Sequence, residues 1–179
     1  MTAVAASAVP PPVVVVLMGV SGSGKTTVAA LLSEMLHWAF EEGDALHPAA
    51  NVAKMASGQA LTDDDRWPWL GIVEQWIAGQ LALGKSGIIT CSALKRSYRD
   101  LLRQAGPGVH FIYLEGDEEM ISERQAARQG HFMPPSLVRS QFETLEEPTP
   151  DEGIERVDVG PAPREIAREI IARLGLVVA

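Results

Sequence analysis

The chain holds one cysteine, Cys91, among 179 residues, so no internal disulfide supports its fold. A chain of this length buries roughly 70% of its unfolded surface and needs none. A lone thiol fits a reducing compartment. Basic residues are the minority, 15 Lys+Arg against 23 Asp+Glu, and the net charge of −8 repels nucleic acid and anionic lipid as bulk partners. An anionic ligand therefore needs a local cluster of cations, backbone N–H groups or a metal ion. No apolar run approaches the ~20 residues that span a bilayer. The first Lys or Arg is Lys25, so the Ala/Val-rich start lacks the basic opening of a signal peptide. We read residues 1–12 as a disordered leader, 13–179 as a single domain, and the cytoplasm as the location. With 46% hydrophobic and 21% charged residues, the rest of the chain has an ordinary globular balance.

Val13 to Met18 is a continuous apolar, mostly β-branched run without alternation, as in a central parallel strand buried on both faces. Further strands are expected at Trp38–Glu41, Gly87–Cys91, Val109–Leu114 and Arg156–Val159. Helical spacing predicts helices over Lys25–His37, Asn51–Ser57, a segment carrying Trp69 to Ile77 and ending near Gly84, Ser97–Gln104, Asp117–Gln129, Ser136–Leu145 and Pro161–Leu174. Strands alternating with helices imply an α/β, doubly wound parallel sheet. Glu146 to Gly153 reads as a surface loop.

Gly19-Val20-Ser21-Gly22-Ser23-Gly24-Lys25-Thr26 matches the phosphate-loop pattern, directly after a buried strand and directly before a helix. Glycines let the backbone curl so that successive N–H groups face one phosphate, and the helix N-terminus adds about half a positive charge. The nucleotide-binding set is Gly19, Ser21, Gly22, Ser23, Gly24, Lys25, Thr26 and Thr27. Lys25 is expected on the β- and γ-phosphates of ATP, and the Thr26 hydroxyl on Mg²⁺.

Asp44 follows the second strand, where strand ends face the ligand crevice. It reads either as a base or water-mediated Mg²⁺ ligand, or as a cap or solvated turn acid. His47 before Pro48 reads as a substrate contact or as turn chemistry. The run Asp63-Asp64-Asp65-Arg66 reads as a solvated face, without the spaced ligands of a metal site. Trp67 and Trp69 read as core or cleft wall, and Cys91 as a buried, inert thiol. The third strand ends in Thr90-Cys91-Ser92 instead of the Asp common beside phosphate loops, which argues against a motor or large ATPase. Arg124 and Arg128, four apart, share one helix face; they serve a lid over a transferring phosphoryl group or form an ordinary solvated face.

Taken together, the phosphate loop, Gly43 to Pro48 (Gly-Asp-Ala-Leu-His-Pro), Asn51 to Met55 with Gly58, Leu61 to Arg66 with Pro68-Trp69-Leu70, Cys91 to Lys95 with Tyr98-Arg99, and Gly130-His131-Phe132 with Gln141 to Pro148 resemble the gluconokinase family of small phosphate-loop kinases. The resemblance implies transfer of the ATP γ-phosphate to the 6-hydroxyl of D-gluconate, sheet order 2-3-1-4-5, a helical lid over about residues 120–146, and a homodimer. Carried over by position, Asp44 is the acid nearest the acceptor hydroxyl. His47, Lys54, Arg66, Lys95 and Arg99, with Asp64 and Gln141, form the gluconate side. Arg124, Arg128 and His131 come from the lid. Lys54, Lys95 and Arg99 suit a carboxylate; Asp44, His47 and Asp64 suit hydroxyls. Glu42 and Trp67 depart from the residues common in the family. The competing readings are a kinase of another small hydroxy acid or nucleoside monophosphate, and a nucleotide-dependent binding module without transfer activity.

Overall fold

A computed structural model describes residues 8–127 and 135–178. Its centre is β1 (Val14–Met18), all five residues fully buried. Because side chains alternate along a strand, Val14, Val16 and Met18 enter one core layer and Val15 and Leu17 the other. β1 is flanked by β3 (Gly87–Thr90) and β4 (Val109–Glu115), with β2 (Ala39–Glu42) and β5 (Glu155–Asp158) outermost. All pairings are parallel, and the order is β2-β3-β1-β4-β5, as the resemblance implies.

α1 (Lys25–Leu36) and α7 (Pro163–Arg173) cover one face through Val28, Leu32, Ile166 and Ile170. α3 (Asp63–Ala82), α4 (Arg96–Arg103), α5 (Glu118–Ala127) and α6 (Pro135–Thr144) cover the other. They contribute Trp69, Leu70, Tyr98, Ile121 and Val138 to its core. α2 (Ala49–Ala56) lies between β2 and α3 in the chain. Among the described residues no helix is long and apolar enough to cross a membrane.

Two expectations change. The acidic run is the first turn of α3, not a bare solvated face. Thr62 caps that helix reciprocally with Asp65: the Asp65 N–H donates to Thr62 Oγ1 (3.2 Å) and the Thr62 N–H to Asp65 Oδ2 (2.9 Å). Three carboxylates at a helix N-terminus also complement its dipole, so the helix starts well before its first buried apolar residue and carries Pro68 inside it. The segment after α6 is not simply a surface loop. It contains a 3₁₀ turn (Pro150–Glu152) whose Glu152 is buried. The expected end of α5 at Gln129 lies outside the described residues.

Candidate active site

The crevice opens where the chain leaves β1, β2 and β3 at their carboxyl ends, around the central β1, past which the chain crosses from β3 to β4. The loop after β1 turns through Gly22 (φ 83°) and Gly24 (φ 93°), a left-handed path that L side chains rarely follow. Gly24 caps α1 without a side-chain hydrogen bond, which leaves the first-turn amides of α1 directed at the crevice. An added Cβ on Gly24 would meet nothing within 4 Å. The Ser23 hydroxyl is buried with no hydrogen-bond partner among the described residues. Open space, oriented amides and an orphaned hydroxyl fit a polyphosphate. The Lys25 ammonium, buried, donates to the carbonyls of Gly19 (2.9 Å) and Val20 (3.0 Å), folded over the loop it would share with phosphate.

Beside it stands a residue that sequence reasoning left without a role. Glu42 Oε2 accepts from the Thr26 hydroxyl (2.6 Å) and Oε1 from the Thr90 hydroxyl (2.5 Å). Thr90 Oγ1 in turn accepts the Gly43 N–H (3.1 Å). The parallel register pairs Glu42 with Thr90 and so brings the carboxylate against the phosphate loop. Gly43 makes this possible: a Cβ there would lie 1.8 Å from the Thr90 carbonyl oxygen. Among the described residues no three His, Cys, Asp or Glu side chains form a metal cage. One carboxylate and one hydroxyl next to a phosphate cradle do suit Mg²⁺, which binds through one or two carboxylates plus phosphate oxygens.

After Glu42 the chain forms a 3₁₀ turn (Gly43–Leu46). Trp69 Nε1–H donates to the Gly43 carbonyl (2.8 Å) and holds this turn in place. Asp44, half exposed, and His47 thereby reach a cleft of about 810 Å³ including its open mouth, whose walls also carry Lys25, Thr26, Glu42 and Arg66. His47 stacks on Trp69 (centroids 3.9 Å apart, 19° between planes). Asn51 Nδ2 lies 3.2 Å from His47 Nδ1 and donates to the Asp65 carbonyl (2.9 Å). An amide NH₂ can only donate, so Nδ1 accepts and the imidazole proton sits on Nε2, 4.0 Å from Asp44 Oδ1. Burial, then the Arg66 guanidinium, lower the His47 pKa to about 4, so the ring is neutral near pH 7. Arg66, also buried, donates to the Tyr98 hydroxyl (2.9 Å), which donates to Asp63.

Of the other expected substrate-side residues, Gln141 lines the same cleft, whereas Lys54, Asp64, Lys95 and Arg99 do not. Lys54 pairs with Asp65 (2.6 Å) and Lys95 with Asp63 (3.0 Å), neither on the cleft wall. Asp64 is exposed on α3. Arg99 is fully buried, its guanidinium held by Glu152 (2.7 Å) and by backbone carbonyls, out of reach of a ligand in the cleft. Among the described cations, Lys25 and Arg66 line the cleft. Trp69 is core and cleft wall, whereas Trp67 faces outward, edge-on to Tyr98. Cys91 is buried and burial pushes its thiol up to about 12.

Gln141 Oε1 accepts the Ser21 N–H (2.6 Å) and Gln125 Nε2 donates to Ser21 Oγ (3.3 Å), so α6 and α5 both touch the phosphate loop. Arg124 donates to the Val159 carbonyl (2.9 Å) and, with Thr27, lines a second cavity on the far side of that loop. Arg128 and His131 lie outside the described residues.

A phosphate loop on a parallel sheet, a carboxylate beside its threonine and a second cleft acid two residues on define a P-loop kinase. A family model described as an AAA domain matches residues 14–148. A gluconokinase of Gluconobacter oxydans is 49% identical over 87% of this chain and 88% of its own length. The thermoresistant gluconokinase of Escherichia coli is 52% identical over 76% and 78%. Among solved structures, a sugar kinase from Janibacter sp. HTCC2649 superposes with a TM-score of 0.88 at 46% identity, covering 93% of this chain and 96% of that one. A gluconokinase from Sinorhizobium meliloti 1021 gives 0.83 at 46% identity, covering 93% and 94%. The chain belongs to the gluconokinase family.

Proposed function

We propose that this chain transfers the γ-phosphate of ATP to the 6-hydroxyl of D-gluconate, giving 6-phospho-D-gluconate and ADP. The observation that carries this reading is the pairing of Glu42 against the phosphate-loop Thr26 with Asp44 facing the same cleft two residues later. The loop amides and Lys25 take the phosphates, Lys25 exchanging the Gly19 and Val20 carbonyls for phosphate oxygens. Thr26 and Glu42 are the residues that would hold Mg²⁺, which when bound neutralises charge on the transferring phosphoryl group. Asp44 orients the acceptor hydroxyl and accepts its proton. Neutral His47 offers Nε2–H to a hydroxyl, and Arg66 is the cleft cation suited to the sugar acid's carboxylate. Arg124, with Arg128 and His131, serves the lid. Residues 13–179 act as one catalytic domain with a lid over about 120–146, in the cytoplasm and as a homodimer whose mass light scattering would read.

ADP release coupled to a reporter, run with gluconate, shikimate and several nucleoside monophosphates, tests the assignment. Turnover of gluconate supports it; turnover of another acceptor alone overturns it. Asp44→Asn is expected to lower kcat at least about 100-fold with nucleotide affinity nearly intact. Normal turnover in that variant removes the proposed base.

A further inference from the structure

The wall of the acceptor cleft is tied to the far end of α6 by a buried arginine. Arg99 on α4 is fully buried and forks onto Glu152, Nε to Oε1 at 2.7 Å and Nη2 to Oε2 at 3.1 Å. Nη1 donates to the Ala93 carbonyl (2.9 Å) and Nη2 also to the Glu146 carbonyl (3.1 Å). Around this centre the Glu146 N–H donates to the Leu94 carbonyl (2.8 Å), Glu146 Oε1 accepts from the first amide of α4 at Arg96 (3.0 Å), and Arg103 donates to the Glu152 carbonyl (2.8 Å). Burial alone would raise the Glu152 pKa; the Arg99 guanidinium and the Thr149 amide more than offset it and keep the carboxylate ionised.

The clasped residues are not ordinary ones. Ala93 has φ 44°, a left-handed conformation that is unfavourable for a residue with a Cβ and persists only where its surroundings impose it. Its neighbours Ser92 and Leu94 line the acceptor cleft. On the other side of the clasp, Ser140 and Gln141 of α6 line the same cleft, a short distance in sequence before Glu146. A buried ion pair adds little stability over well-packed apolar residues. What this one adds is a rigid fork that holds two loop carbonyls at once.

We propose that Arg99 and Glu152 are positioning residues for the acceptor: the pair sets the strained loop at residues 92–94 against the end of α6 and so fixes the spacing of the two cleft walls. The inference rests on the proposed kinase reading, because it supposes that the acceptor lies in this cleft. Neither residue touches substrate.

The test is steady-state kinetics of Arg99→Lys and Glu152→Gln with gluconate and ATP varied separately, at a temperature where near-ultraviolet circular dichroism shows both variants folded. The KM for gluconate is expected to rise about tenfold while the KM for ATP stays within about twofold. Ile170→Ala, which opens the core on the opposite face of the sheet, serves as a control that lowers the melting temperature without moving the gluconate KM. Should both clasp variants fail to fold, Arg103→Gln removes the outer contact to Glu152, together with a cation–π contact on Phe111, and is expected to raise the gluconate KM about threefold. An unchanged gluconate KM in the folded variants, or an equal rise in Ile170→Ala, overturns the proposal. Wild-type protein that leaves gluconate unphosphorylated overturns the functional reading and this inference with it; active wild type with unmoved variants overturns the inference alone.

Discussion

His47 makes the stability of this protein depend on pH in a defined window. Its side chain is 4% exposed, stacked on Trp69 and facing Arg66 as the nearby cation, and its pKa falls from 6.5 to about 4 on folding. As pH falls, the unfolded chain takes the proton first, so His47 has almost no effect above about pH 7.5 and removes stability progressively from there until pH passes about 4. Between about pH 7.5 and pH 4.5 the loss integrates to about 2–3 kcal/mol. Asp65 and Asp151, held near 2 by Lys54 and Arg96 respectively, add their loss only below about pH 4. In His47→Gln the proton sink is gone. Urea unfolding followed by tryptophan fluorescence at both pH values gives the difference of differences: wild type is expected to lose about 2–3 kcal/mol more than the variant across the window. Parallel losses in the two proteins would refute the claim that the folded state holds this imidazole neutral.

Two further outcomes follow from the site. Lys25→Ala is expected to lower kcat by about three orders of magnitude, since the buried cation proposed to take the phosphate oxygens is replaced by a methyl group; near-normal turnover in the coupled assay contradicts that proposed role. Cys91, buried and with a thiol pushed up to about 12, is expected to resist a disulfide-exchange reagent in the native protein and to react once urea unfolds it; rapid native labelling contradicts that burial.

Much of the fold is written in local pattern. The apolar run at β1 forces a strand covered on both sides, and the phosphate loop announces itself because its chemistry is carried by contiguous backbone. Ligands contributed by separate elements are less legible. Glu42 acquires its place only through the register that sets it opposite Thr90, and neither residue signals the other. Arg99 resembles any substrate-binding cation until the fold delivers Glu152, 53 positions further on. The acidic run at Asp63–Asp65 shows the opposite case, since its partner Thr62 is adjacent: the capping pattern is contiguous, but repeated like charges read as a solvated face before they read as a helix start. Lys54 and Lys95 have the right charge for a sugar acid, yet Asp65 and Asp63 stand within ion-pair distance of each.

Gly43 sits between the two acids and has no seat for even a methyl group, because the neighbouring strand passes against its α-carbon. Glu42, at the end of β2, and Asp44, in the turn that follows, are therefore held against the sheet, and the interval between the phosphate loop and the proposed proton acceptor is a property of the scaffold. A descendant of this chain with a taste for a different alcohol would have to remodel the opposing helices and leave this joint untouched.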